Sequence, residues 1–265
     1  MAECLLVEAN GVALRCRRAG ASGPALVLLH EMGGALESWD EVIAQLDAEF
    51  RILAHDLRGF GFSEKVRGPL RFADLASDTA GLTRQFFPDE RVWIAGCAVG
   101  AAVGLELAAS MPELLAGVVA FAPATGVPEA DRPAALERIN AMESGGLRKF
   151  FPDVSDRQFP IHLRTDPRRV EQFHLRRLAC DAQSYATVWR AMVGSDLEER
   201  LDAIRCPVTV VAGTLDTARP PDRLGALAAR IPGARFATVE SGHAIPVIAP
   251  EATANMIRNA VAAKR

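Results

Sequence analysis

The chain has 265 residues, of which 49% are hydrophobic and 24% are charged, and its formal net charge at pH 7 is −3. This composition is ordinary for a globular protein with a sizeable core, and the length fits one α/β domain or a core domain with an insertion. The nearly balanced charge excludes an overall positive electrostatic potential that would attract nucleic acid or an anionic membrane. No apolar run approaches the roughly 18 residues that a membrane-spanning helix needs.

The cysteines and the N-terminal segment bear on the cellular compartment. The five cysteines are scattered, odd in number and without C-x-x-C spacing, which disfavours a zinc site or a disulfide framework. Residues 1–20 lack the basic-then-apolar order of a signal peptide and predict two strands that turn at Asn10-Gly11. We therefore expect a cytoplasmic protein.

Short apolar runs alternate with longer amphipathic ones along most of the chain, which is typical of βαβ units on a mainly parallel sheet. The first two strand pairings are predicted to be antiparallel and the others parallel. The predicted strands are 3–8, 13–18, 25–30, 51–55, 91–95, 117–121, 207–212 and 235–239. The predicted helices of this core lie near 38–48, 72–86, 98–110, 221–230 and 250–263.

The region from 126 to 201 contains no strand-like run and shows helical periodicity instead. Helices are predicted for "RPAALERINAM", "DPRRVEQFHLRRLA" and "SYATVWRAMVGSDLEERL". We interpret residues 126–201 as a helical cap that is inserted after the 117–121 strand. The core domain would then comprise residues 1–125 and 202–265.

The stretch "VWIAGCAVGAAV" has the outline of a strand–turn–helix elbow, whose tip normally presents a nucleophile. Such a turn needs small residues two positions before and two positions after the tip. With Ala98 at the tip, those positions are Gly96 and Gly100. With Cys97 at the tip, one of them is the β-branched Val99, which fits poorly. The glycines therefore favour Ala98 as the tip, although serine is the residue expected there.

Two downstream residues are candidate partners for a nucleophile at the tip. Asp216 follows the apolar strand "VTVVAG", and His243 follows the last predicted strand. Each has a simpler interpretation alone, as a helix-capping residue or a surface loop residue. Their order after the elbow, acid and then histidine, predicts a catalytic triad frame. His30 and His55 end strands and suit packing or hydrogen bonding, and the histidines of the cap are predicted at the surface.

An oxyanion hole needs two backbone N–H donors that point at the developing negative charge. The residue after the nucleophile, Val99, supplies one candidate. The loop "HEMGG" at 30–34 supplies the other, with Met32 as its best donor.

Five segments of the chain carry motifs of a known superfamily. They are "LLHEMGG" at 28–34, "HDLRGFGFS" at 55–63, "AGCAVGAA" at 95–102, "GTLDTARPP" at 213–221 and "SGHAIPVIAPE" at 241–251. With them the whole chain resembles the α/β-hydrolase superfamily. The resemblance implies an α/β-hydrolase fold, with a mostly parallel eight-stranded sheet flanked by helices and an inserted cap. Within it, the chain is similar to small bacterial ester and lactone hydrolases of the 3-oxoadipate enol-lactonase type.

The second of these segments is architectural rather than catalytic. Asp56, Arg58, Gly59 and Gly61 predict a turn that is stabilised by side chain–backbone hydrogen bonds.

The chain departs from the superfamily pattern at two positions. Glu31 replaces the usual glycine after the histidine of the first motif, and its carboxylate either joins a polar network or touches substrate. Ala98 replaces the nucleophilic serine, and three interpretations remain open. The serine was deliberately replaced; or the protein is a natural non-catalytic ligand-binding or receptor-like member of the fold; or Cys97, or a water activated by His243, performs the chemistry.

For an active form with serine at residue 98, we expect a two-step acyl transfer. His243 is the base, Asp216 orients it, and the N–H groups of Met32 and Val99 hold the oxyanion. The expected substrate is a small ester or lactone, and amide or C–C hydrolysis by the same triad remains an alternative. No metal or organic cofactor is expected.

The substrate pocket is expected to involve the cap. Its candidate lining residues are Glu31, Trp39, Tyr185 and Trp189. Residues 126–195 hold eleven arginines and lysines against nine acidic residues, so an arginine that pairs with a substrate carboxylate is a further possibility. The expected partner is thus a small carbonyl compound rather than nucleic acid or a membrane, and a homo-oligomer is left open.

Overall fold

The computed structural model describes the backbone of residues 3–263 and the side chains of 4–151 and 158–263. Its strands form one eight-stranded sheet in the order β1-β2-β4-β3-β5-β6-β7-β8. β1 pairs with β2 and β2 with β4 in antiparallel register, and all the other pairs are parallel. The strands are β1 Glu3–Ala9, β2 Val12–Ala19, β3 Ala25–Leu29, β4 Arg51–His55, β5 Val92–Cys97, β6 Leu115–Phe121, β7 Val208–Gly213 and β8 Arg235–Val239. The predicted fold class and the two antiparallel pairings are confirmed.

β3 and β5 are buried along their whole length, because helices cover both faces of the sheet. α2 packs against α3, while α1 packs against α10. The α-helices outside the segment between β6 and β7 are α1 Asp40–Leu46, α2 Phe72–Phe86, α3 Val99–Ser110, α8 Pro221–Ala229, α9 Ile245–Ile248 and α10 Pro250–Ala262. The core therefore lies between the sheet and these two helical layers.

The segment between β6 and β7 is helical, as its periodicity predicts, but its helices differ from the prediction. They are α4 Arg132–Gly145, α5 Leu147–Gln158, α6 Pro167–Leu178 and α7 Ala182–Val193. α5 was not predicted, because Pro152 in its sequence is typical of a helix break. The single helix predicted over 184–201 was wrong: α7 ends at Val193, before Gly194, and a separate 3-10 helix, Leu197–Ala203, follows.

The turn after β4 has the architecture that its motif predicts. Asp56 is fully buried, and its carboxylate accepts the backbone N–H of Leu36 at 2.7 Å and of Phe62 at 2.8 Å. Arg15 Nε donates to the same carboxylate at 2.6 Å. Gly61 is required because a Cβ there would lie 2.1 Å from Asp56 Oδ2. The turn thereby ties the loop after β3 to the loop after β4.

The described residues contain no helix that is both long and apolar enough to cross a membrane.

Candidate active site

The predicted elbow forms at the junction of β5 and α3. Its tip, Ala98, is 2% exposed and has φ 50° and ψ −109°, which is uncommon for a residue with a Cβ. A Cβ on Gly96 would lie 2.4 Å from the Gly100 carbonyl carbon, and one on Gly100 would lie 2.4 Å from the Leu29 oxygen. Both positions therefore require glycine because backbone atoms approach closely there. The elbow conformation is present even though its tip is alanine.

Cys97 lies beside the tip but does not face the cavity described below. Its side chain is fully buried, and Sγ donates to the carbonyl oxygen of His243 at 3.5 Å. Burial raises the pKa of this thiol well above its ordinary value, which disfavours the nucleophilic thiolate. The geometry thus supports a packing role for Cys97.

Asp216 and His243 meet at the carboxyl end of the sheet, where α/β folds usually place their sites. His243 Nδ1 donates to Asp216 Oδ2 at 2.7 Å, in the tautomer that this hydrogen bond assigns. Asp216 Oδ1 accepts the backbone N–H groups of Ala218 at 2.8 Å and Arg219 at 2.9 Å. Because Nδ1 is occupied, Nε2 is the ring nitrogen left for proton transfer.

The surroundings of Asp216 keep it ionised. Burial by itself raises the pKa of this carboxyl, but the charge and hydrogen bond of His243 and the two backbone N–H donors outweigh burial and lower it. An ionised Asp216 can stabilise a protonated His243. This pair therefore has the chemistry of a general base and its orienting acid.

The two predicted oxyanion donors, Met32 and Val99, come from separate segments of the chain. Val99 is the first residue of α3, where backbone N–H groups have no acceptor within the helix. Met32 lies in a turn that Gly34 N–H closes by donating to the Glu31 oxygen at 2.9 Å. His30 fixes the start of this loop, since its Nε2 accepts the Leu57 N–H at 2.9 Å. Both predicted donors are therefore placed on anchored backbone.

A cavity of about 470 Å³ joins these groups. Ala98, Val99, Met32 and His243 all line it, which brings the elbow tip, the predicted base and the two predicted oxyanion donors to one space. Its opposite wall comes from the helical segment between β6 and β7. There Phe150, Tyr185 and Trp189 form a cluster with ring centroids 5.6 to 6.1 Å apart.

The predicted pocket residues divide into two pairs. Tyr185 and Trp189 line the cavity. Glu31 and Trp39 are not among its lining residues. Trp39 is fully buried, with its ring centroid 6.2 Å from that of Phe121. The Glu31 carboxylate turns away from the cavity and pairs with Arg177 at 3.3 Å, which realises the polar-network alternative.

Three arginines that the sequence did not single out also line the cavity: Arg138 from α4, Arg219 from the loop after β7 and Arg223 from α8. Arg219 makes no ion pair with any described carboxylate, and burial lowers its pKa to about 10. Its place three residues after Asp216 was the available signal, because that loop faces the same edge of the sheet. Asp131 is the acidic residue of the lining.

Among the described residues, no cluster of three or more His, Cys, Asp or Glu side chains is arranged to hold a metal ion.

The family model described as "Serine aminopeptidase, S33" matches residues 21–242 of this chain. The chain belongs to this α/β-hydrolase family.

Two relatives are similar to this chain over most of their length. The chain is 28% identical over 212 residues to 3-oxoadipate enol-lactonase 2 of Acinetobacter baylyi, covering 79% of this chain and 78% of that protein. It is 27% identical over 235 residues to a pimeloyl-[acyl-carrier protein] methyl ester esterase of Xanthomonas campestris, covering 85% and 90%.

Among solved structures, the enol-lactonase from Burkholderia xenovorans superposes with a TM-score of 0.91 at 25% identity. The match covers 97% of this chain and 100% of the other. The predicted α/β-hydrolase fold is thereby confirmed.

Proposed function

We propose that this chain carries the site of a serine-type hydrolase for small esters or lactones, with alanine at the nucleophile position. The observation that carries the proposal is that His243, hydrogen-bonded to Asp216, and the elbow tip Ala98 line one cavity. The enol-lactonase and methyl ester esterase named above support the substrate class. We propose Met32 and Val99 as the oxyanion donors and residues 126–201 as a cap domain over the core.

The reaction proposed for a form with serine at residue 98 has two steps. The hydroxyl oxygen attacks the carbonyl carbon while His243 takes its proton, and the carbonyl electrons move to an oxygen held by the N–H groups of Met32 and Val99. The C–O bond to the leaving group then breaks, and His243 returns the proton to that oxygen. Water then attacks the acyl carbon while His243 takes its proton, the bond from that carbon to the serine oxygen breaks, and His243 returns the proton to the serine as the acid leaves.

The proposed substrate carries a carboxylate besides its scissile bond. Arg138, Arg219 and Arg223 line the cavity, and Asp131 is the one acidic residue of its described lining. Arg219 is the strongest candidate to bind this carboxylate, because no described acidic side chain neutralises it and its Nε is buried without a hydrogen-bond partner there. A guanidinium in such a position forms charge-assisted hydrogen bonds with carboxylates.

The direct test is Ala98→Ser, assayed with monoesters of dicarboxylic acids, their neutral diesters, lactones and matched amides. We expect hydrolysis to rise by about 10³-fold or more over the Ala98 chain, given what a triad member contributes. We also expect the acidic monoesters to be preferred. Hydrolysis of amides but not esters would move the proposal to C–N bonds, and no gain on any substrate would contradict it.

A second candidate function, a non-catalytic ligand-binding protein, is favoured by Ala98 itself, because a methyl group cannot attack a carbonyl. Calorimetric titration of the Ala98 chain with the same compounds addresses it. Tight binding, together with no hydrolysis by Ala98→Ser, would favour this candidate over the hydrolase.

A further inference from the structure

Arg177 of α6 is fully buried, although it belongs to the helical segment between β6 and β7. Its guanidinium lies 3.3 Å from the centroid of the Phe173 ring and donates to the Phe173 oxygen at 3.2 Å. It also donates to Glu31 Oε1 at 3.3 Å and to Gln158 Oε1 at 3.2 Å. Burying a guanidinium costs free energy unless it is paired, so its partners are of interest.

The Glu31 end of this arrangement belongs to the loop that carries Met32. Glu31 is 1% exposed, and Ser38 Oγ is its other hydrogen-bond partner, at 3.2 Å. Its Oε2 has no hydrogen-bond partner among the described residues. Burial is the largest influence and pushes the pKa of Glu31 up, but the charge of Arg177, together with smaller contributions that include the charge of Arg176, outweighs burial and lowers it. The carboxylate is therefore charged, and Arg177 compensates that charge.

The loop is also shaped around this carboxylate. A Cβ on Gly34 would lie 2.6 Å from the Glu31 carboxyl carbon, and one on Gly33 would lie 3.0 Å from Arg177 Cγ. The backbone that follows Met32 thus packs directly against the ion pair. A displacement of Arg177 would move this backbone.

The Gln158 end reaches the other half of the site. The backbone oxygen of Gln158 accepts the N–H of His243 at 2.9 Å. A Cβ on Gly242 would lie 2.4 Å from Pro160 Cδ, so glycine lets the segment after α5 approach the histidine loop. Gln158 therefore holds Arg177 with its side chain and His243 with its main chain.

We propose that Arg177 and Gln158 are positioning residues, which hold the Met32 loop and the His243 loop in register across the elbow tip. The inference rests on the proposed function for its catalytic meaning, since Met32 and His243 are the proposed oxyanion donor and base. Arg177 does not line the cavity and Gln158 does, but the role proposed for both acts through the two loops and not on the reacting atoms. Their effect is that helices α5 and α6, outside the sheet, set the distance between the two halves of the reacting geometry.

A purely stabilising role predicts something different. A buried ion pair can be exchanged for uncharged side chains of similar size with little loss of stability. If Arg177 and Glu31 only support the fold, the double variant Glu31→Gln/Arg177→Met restores the stability, the slow exchange of both loops and the kcat that Arg177→Met loses. If they position the two loops, the double variant recovers stability while the loops stay loosened.

The first measurement uses the Ala98 chain and needs no activity. Hydrogen–deuterium exchange is followed in segments 30–34 and 241–245 for Arg177→Met and for the double variant. We expect faster exchange in both segments in both variants, by about 10-fold. The control is Arg169→Met, on the same helix, which removes another ion pair to the core, the 2.6 Å contact with Glu41. Exchange of the two segments is expected to stay unchanged in the control.

The second measurement adds Ala98→Ser to each variant. We expect kcat of the double variant to fall by about 10- to 100-fold with KM nearly unchanged, because small misplacements of reacting groups have effects of this size. Arg169→Met is expected to keep both constants.

The two measurements separate failure of this inference from failure of the proposed function. Unchanged exchange in both segments, or a double variant with full kcat, would overturn the positioning role. Faster exchange without any hydrolysis by Ala98→Ser would keep the positioning of the loops and remove the proposed activity instead.

Discussion

The two sides of the cavity are built in different ways. On the sheet side, Ala98, Asp216 and His243 follow strand ends. Glycines near them approach other atoms so closely that a Cβ would not fit, and Asp216 is hydrogen-bonded to a backbone N–H and to His243. On the helical side, Phe150 and Trp189 meet through ring contacts between helices. The difference teaches that the reacting groups are held by the main chain of the core, with Arg177 and Gln158 bracing two of its loops, whereas the wall formed by Phe150 and Trp189 consists of exchangeable side chains. Changes on the sheet side should therefore alter rate or folding, and changes in this aromatic wall should alter binding.

The largest effect is expected from Asp216→Asn in the Ala98→Ser background. An amide at this position favours the wrong tautomer of His243, so kcat should fall by about 10⁴-fold with the fold intact. Steady-state kinetics on the best ester substrate measures it. Asp222→Asn, an exposed aspartate in the first turn of α8, is the matched control and should keep kcat. A loss below about 10-fold for Asp216→Asn would show that the sheet side does not work as a triad.

Gly100→Ala tests the claim that main-chain contacts shape the elbow. Its Cβ would meet two carbonyl oxygens, of Leu29 at 2.4 Å and of His30 at 2.6 Å, and neither can move away cheaply. We expect the free energy of unfolding to fall by about 3 kcal/mol, measured by urea denaturation.

Gly104→Ala is the control for that change on the same helix. There the nearest atom is the Ile94 Cγ2 methyl at 3.0 Å, which belongs to a side chain. The greater helix propensity of alanine should offset the crowding, so stability should change by less than about 1 kcal/mol. Equal losses in the two variants would contradict the distinction drawn here.

The same difference explains what the sequence could predict. Apolar runs between turn residues located all eight strands, and glycine spacing located the elbow, because both are local patterns. Asp216 and His243 were identifiable because strand ends converge at one edge of the sheet. The role of Glu31 depended on Arg177, which lies far away in the chain, and so only the three-dimensional contact decides it.

The helical side was harder to predict for a physical reason. α5 continues past Pro152, although proline usually interrupts a helix. Trp39 and Trp189 are the same residue type, yet only Trp189 lines the cavity. Which face of a helix meets the cavity is set by packing between helices. Arg138 and Phe150 were missed as lining residues for that reason.

A smaller effect is expected from Trp189→Ala in the Ala98→Ser background. Loss of its apolar contact with substrate should raise KM by about 10-fold and leave kcat nearly unchanged. Leu136→Ala, a partly exposed leucine of α4, is the control and should change neither constant. If kcat rather than KM changes in Trp189→Ala, the helical wall contributes to the reacting geometry and the two sides are less separate than described.

The smallest effect is expected from Asp181→Ala at the start of α7. Asp181 accepts the Ser184 N–H at 2.8 Å and pairs with Arg67 at 2.7 Å. Burial opposes these contacts, but they prevail and lower its pKa to about 2. Loss of the helix-capping carboxylate should cost about 1 kcal/mol at pH 7.

The pH dependence gives the sign of that contribution. The folded pKa lies below the ordinary value of about 3.9, so the stabilisation is complete above about pH 4 and is lost as the pH falls towards 2. Urea denaturation from pH 7 to pH 3 should therefore show the two proteins converging at the acid end. A gap that stays constant with pH would assign the effect to something other than the Asp181 charge.

The central claim, that this site lacks only the oxygen at residue 98, has a direct test by intact-protein and peptide mass spectrometry. The Ala98 chain and Ala98→Ser are each mixed with an activated ester and with a fluorophosphonate, quenched and weighed. The account predicts one covalent adduct on Ala98→Ser, located at residue 98, and none on the Ala98 chain. An adduct on Cys97 of the Ala98 chain, or no adduct on Ala98→Ser, would contradict it.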